Sequence, residues 1–75
     1  MKRDSNTLRE IGEALYGPNW QTPLSVALGV SDRTVRYWTE GRHIPAGVWD
    51  DLAKLCEQRA RAILKWGARL KAKGP

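Results

Sequence analysis

Apolar residues recur at helical intervals in four stretches of this chain, separated by short segments that carry glycine or proline. In the first stretch Leu8, Ile11 and Leu15 fall at i, i+3 and i+7 and form one stripe. Thr7-Leu8-Arg9-Glu10 has the form of a capping box, in which hydroxyl and carboxylate serve each other's end of the first turn. The helix is predicted to begin there and to close at Gly17-Pro18, as a supporting core element without chemistry of its own. Asn19 to Thr22 bridge to a second helix, where Pro23 stands in a first turn whose amides lack intrahelical partners.

The densest pattern runs from Gln21 to Trp38, QTPLSVALGVSDRTVRYW. Leu24 and Leu28 give an apolar face one turn apart, and Ser25 is small where a second helix must pass closely. Gly29 is the natural left-handed stop, Val30 plugs the turn, and Ser31 is a strong N-cap for a third helix. Val35 and Trp38 bury one face of that helix, which leaves Asp32, Arg33, Thr34, Arg36 and Tyr37 outward. Two helices joined by a three-residue turn, the second presenting hydrogen-bonding heads, form the arrangement a helix-turn-helix uses to enter the major groove of DNA.

This segment, with its Gly29-Val30-Ser31 turn, Val35 and Trp38, resembles the helix-turn-helix of the Cro/repressor-like family of small phage and bacterial DNA-binding proteins. The likeness continues through Thr39-Glu40-Gly41-Arg42, which matches the W-x-x-G-[RK] ending common there. It covers about a third of the chain closely. One departure is Ser25 in place of the usual small alanine; its hydroxyl can bond back to the carbonyl four residues earlier. The resemblance implies a double-stranded DNA operator as partner and a phage or mobile-element regulator as context.

Gly41 to Gly47, GRHIPAG, reads as a loop with Ile44 tucked against the body. From Ala46 or Val48 a last helix is predicted to run to about Lys71, interrupted only by Gly67. Trp49, Leu52, Cys56, Ile63, Trp66 and Leu70 share a stripe with a period near 3.5, and Arg59 fills its missing step. Lys54, Arg61, Lys65, Arg69 and Lys73 form a basic stripe on another face. Three readings compete: a dimerising helix, which is preferred, a helix touching DNA backbone, and an amphipathic helix on an anionic surface. Within the apolar stripe, Arg59 must snorkel or meet an acidic group on a partner. The expected fold is all-α, a small bundle of four to five helices with a helix-turn-helix at 21–38 and a long C-terminal helix. Residues 1–57 form the body, and residues 58–75 a basic extension of the same domain.

Composition changes this picture in three places. Four tryptophans and no phenylalanine imply that Trp20, Trp38, Trp49 and Trp66 fill space in a core too small to share the task among many aliphatics. The net charge of +5 is unevenly placed. Residues 1–57 hold seven Lys/Arg against all eight Asp/Glu, whereas residues 58–75 hold six basic residues and no acid. Around the third helix Arg33, Arg36 and Arg42 exceed Asp32 and Glu40 by one, so attraction to phosphate is weak unless the tail assists. Finally, Cys56 is the single cysteine, which excludes an intramolecular disulfide and a cysteine metal cluster, and fits a cytoplasmic protein.

The candidate base-contacting residues are Ser31, Asp32, Arg33, Thr34, Arg36 and Tyr37. Arg33 and Arg36 can each offer paired donors to guanine O6 and N7; Asp32 can accept from cytosine N4, or orient an arginine. Gln21, Thr22, Arg42 and His43 are candidates for phosphate. Trp49, Leu52, Cys56, Arg59, Ile63, Trp66 and Leu70 form a candidate dimer or partner face. No catalytic set, cofactor, metal, membrane span or small-molecule ligand is expected, and Cys56 reads as a small core residue. The function so indicated is a sequence-specific regulator, most simply a homodimeric repressor. The alternative is a protein-interaction module, such as an antitoxin or phage adaptor, that keeps the fold.

Overall fold

The first helix, α1 (Ser5–Tyr16), begins two residues before the predicted capping box. Asp4 is its N-cap: the extended backbone of that residue lets its carboxylate accept the Thr7 amide at 2.9 Å. Thr7 is therefore inside the first turn. A computed structural model describes residues 1–73, which form α1, α2 (Gln21–Leu28), α3 (Asp32–Thr39) and α4 (Ala46–Lys73). The chain is all-helical, as its periodicity predicts. No described helix is long and apolar enough to cross a membrane.

Packing of α1 on α2, α3 and the start of α4 closes one core. Leu8, Leu24, Val35 and Leu52 are its most deeply buried side chains, joined by Leu15, Trp20, Trp38, Ile44 and Trp49. Each such side chain withdrawn from water contributes roughly 1.5 to 3 kcal/mol, the large share of stability in so short a chain. The buried face of α1 is Leu8, Gly12 and Leu15, with Ile11 only half-buried at its margin. Gly12 is where Trp20 comes closest, and the absence of a side chain admits the indole. A further tie links the ends of the sequence pattern: the Ser5 hydroxyl donates to the Trp38 carbonyl, holding the start of α1 on the end of α3.

Three of the four tryptophans fill the core as expected, but Trp66 does not; it is 60% exposed. The cause is the length of α4. Its 28 residues extend about 42 Å at 1.5 Å per residue, and α1 ends long before it does. The molecule measures 50 × 23 × 19 Å, with α4 as its long axis. No break separates residues 57 and 58, so body and extension share one helix, which runs through Gly67. Gly47, predicted as loop, lies in the first turn of α4.

Candidate nucleic-acid interface

The crossing of α2 and α3 is built from two caps placed back to back. Gly29, at φ 71° and ψ 29°, ends α2; its amide donates to the Val26 carbonyl at 3.1 Å and the Val30 amide to the Ser25 carbonyl at 3.0 Å. That pair of bonds is a Schellman motif, and it needs a residue free to adopt positive φ. Val30 then packs on the core, and Ser31 starts α3 by accepting the Thr34 amide at 3.1 Å. The same device recurs at the other end of α3. Gly41, at φ 99°, donates to Trp38 O at 3.2 Å while the Arg42 amide reaches Tyr37 O at 3.1 Å. A two-turn helix is thus fixed at both ends.

A side-chain cluster sets the angle between the helices. Ser25 is buried, and its hydroxyl lies 2.7 Å from both the Thr22 carbonyl and Asp32 Oδ1. A hydroxyl has one proton, so the two acceptors share it in turn. The bond reaches back three residues, not the four expected from sequence. Thr22 Oγ1 donates to the other carboxylate oxygen, Asp32 Oδ2, at 3.3 Å. Asp32 therefore binds α2. Its carboxylate is turned to Ser25 and Thr22, although the residue stays exposed at the start of α3.

The remaining candidates divide by place. Arg33 and Arg36 are exposed on α3, with Thr34 and Tyr37 half-buried beside them. Thr34 Oγ1 is 3.0 Å from Ser31 Oγ, so these two hydroxyls are coupled in the N-cap. Arg42 lies over the Tyr37 ring, its guanidinium carbon 4.0 Å from the centroid, a cation–π contact that holds the loop arginine against α3. Gln21 and Thr22 stand in the first turn of α2, whose N-cap, Trp20, provides no side-chain cap. Between the Arg42 loop and the start of α1 lies an open cleft of about 730 Å³, lined by Arg42, His43, Arg3 and Arg9, with Asp4 as its one acid. Arg3 and Arg9 are additions to the predicted set. In sequence Arg9 precedes the helix-turn-helix by 12 residues and Arg3 by 18, and only the packing of α1 beside the α3–α4 loop brings them to it.

Of the predicted partner face, Trp49 and Leu52 are spent on the chain's own core. Cys56, expected to be buried, is exposed. Arg59 needs no acidic partner: its Nη2 donates to the Leu15 carbonyl at 2.7 Å and its guanidinium lies 5.2 Å from the Tyr16 ring centroid. It caps the carboxyl end of α1, where a cation is favoured by the helix dipole. Ile63, Trp66 and Leu70 remain exposed.

Comparison with protein-family models, with curated proteins and with solved structures returns no match.

Proposed function

We propose that this chain is a sequence-specific double-stranded DNA-binding transcriptional regulator, most simply a homodimeric repressor of the Cro/repressor-like kind, which lays α3 in the major groove. One observation carries the reading: α3 is capped at both ends, pinned to α2 through Asp32, and leaves Arg33 and Arg36 exposed on its outer face. Rigid presentation matters because a forked guanidinium discriminates guanine only when held in register with the O6 and N7 atoms. Arg42 and His43, with Arg3 and Arg9, supply the backbone contacts that position the helix without reading sequence. Their charge gathers locally within a body whose net balance stays near neutral.

The test is selection of bound duplexes from a random-sequence pool near physiological salt. Enrichment of an inverted repeat with half-sites about 10 base pairs apart, one helical turn, supports a two-fold dimer on adjacent major grooves. Absence of any enriched sequence sinks the reading. A second reading, a protein-interaction module, draws on the exposed Ile63, Leu64, Trp66 and Leu70 of α4. The salt response separates the two: phosphate contact makes log K fall by about 0.9 per neutralised phosphate per log unit of salt, and a purely protein-binding domain shows no such duplex affinity.

A further inference from the structure

We propose that the bare half of α4 seats a second copy of this chain, with the two helices antiparallel and Trp66 close to the two-fold axis. This deepens the homodimer part of the function above and is independent of whether α3 reads DNA.

The first observation is a stripe that loses its cover. Leu52, Leu55, Arg59, Ile63, Trp66 and Leu70 follow intervals of 3 and 4 and so lie along one side of α4. Leu52 is buried, Leu55 packs on the core, and Arg59 bonds the carbonyl of Leu15. α1 ends one residue later, at Tyr16. Beyond that point the same stripe is open, with Ile63 67%, Trp66 60% and Leu70 74% exposed. Leu64, 72% exposed, lies about 100° round the helix from Ile63 and outside the stripe. An unsupported helical segment of about this length is marginal in water, and large apolar side chains on its surface add to the penalty.

The shape of the molecule selects the occupant. Because the stripe continues the core-facing side of α4, the body stands beside it on that same side, like the wall of a corner. A flat bilayer or a DNA cylinder is held off by that wall; a single helix fits inside it. A parallel second α4 would bring the two bodies to the same end of the pair, both on the facing sides, where they collide. An antiparallel one places each body beside the free end of the other helix. The contact is then isologous, with Ile63 of each copy meeting Leu70 of the other.

Charge points the same way. Residues 59–73 carry six basic residues and no acid. Arg61 and Lys65, one turn apart, lie on the side away from the stripe and stay in water when the stripes meet, whereas Arg69 flanks the stripe, its guanidinium carbon 5.3 Å from the Trp66 ring centroid. In a parallel pair each basic residue would stand level with its own copy. In the antiparallel pair they are staggered, and the basic end of each helix, including Lys71, arrives near the carboxyl end of the other copy's α1, where Glu13 is exposed and Arg59 already holds the Leu15 carbonyl. The few side chains involved make this interface small, so a dimer that dissociates on dilution is expected, reinforced when two linked half-sites are engaged.

Sedimentation of the full chain over a range of concentrations tests it. A monomer–dimer equilibrium is expected, with the Trp66→Glu and Leu70→Asp chains remaining monomeric while emission from the buried Trp20, Trp38 and Trp49 reports an intact body. A wild-type chain that stays monomeric throughout, or variants that dimerise as well as it does, overturns the proposal. Orientation is read in a Cys56→Ser background by mixing Ile63→Cys and Leu70→Cys chains under mild oxidation. A disulfide between the two different chains is expected to predominate; predominance of the Ile63→Cys chain linked to itself overturns the antiparallel arrangement. Duplex selection with the Trp66→Glu chain separates this proposal from the DNA reading. Enrichment of a single half-site supports the dimer seat, an unchanged inverted repeat overturns it, and a wild-type dimer of the predicted orientation that enriches nothing supports the seat while sinking the DNA reading.

Discussion

Ser25 Oγ lies 2.7 Å from Asp32 Oδ1, and through that bond the small residue of α2 fixes the first residue of α3. A charged acceptor strengthens such a bond, yet Asp32 is exposed and water can replace the lost donor, so Ser25→Ala is expected to cost only about 1 kcal/mol in urea unfolding. Binding gives a sharper test. Asp32→Asn removes a negative charge beside the proposed phosphate path and should raise affinity for random duplex while lowering discrimination, measured as the ratio of specific to random binding. An unchanged ratio would mean that the Asp32 link has no part in presenting α3.

Arg36 is exposed on α3, where a guanidinium can reach a base edge. Arg36→Ala should weaken binding to the selected duplex by roughly 1 to 3 kcal/mol and relax preference at one base position. The contrasting variant is Arg9→Gln in the cleft beside Arg42, which should weaken specific and random binding alike and reduce the salt slope by about 1. Equal loss on both duplexes for Arg36→Ala would reassign that residue to phosphate.

Gly12 has no room for a side chain. A Cβ there would sit 2.5 Å from Trp20 Cδ2 and closer still to Cε3, and the buried indole cannot swing aside. Overpacking of this kind costs about 1 to 3 kcal/mol, and alanine recovers about 1 kcal/mol of helix propensity. Gly12→Ala is therefore expected to destabilise the fold by about 2 kcal/mol at most, read by urea unfolding. The penalty should shrink when Trp20→Leu is present, because the two positions are in contact.

Asp4 gives the start of α1 a titrating cap. The Thr7 amide, then the Thr7 hydroxyl, hold its carboxyl below the ordinary value of 3.8. A carboxylate with a depressed folded value contributes stability above its unfolded value and loses it as pH falls through the folded one. Melting temperature should therefore be insensitive to this group near neutrality and decline on acidification below 3.8. Asp4→Asn keeps a capping oxygen without the titrating charge, so its decline should be shallower; identical profiles would place the acid sensitivity elsewhere.

The elements were legible in the sequence wherever the cause is local. Gly29 as a left-handed stop, Ser31 as an N-cap and Val35 with Trp38 as a buried face are decided by a few neighbouring residues, and the structure places each as the pattern predicts. The start of α1 lies earlier than the pattern predicts because Thr7 and Asp4 are both good caps; the earlier one extends the helix and satisfies more amides. What the sequence could not supply is distance across the chain. Periodicity put Trp49, Leu52, Arg59, Ile63, Trp66 and Leu70 on one stripe, but where that stripe passes from core to solvent depends on where α1 ends against it. The partners of Asp32 and Arg59, and the meeting of Arg3 and Arg9 with Arg42, are likewise fixed only when the helices close on one another. A helix is a local solution of backbone hydrogen bonding, whereas a site is made by contacts between segments far apart in sequence, and those are chosen by packing.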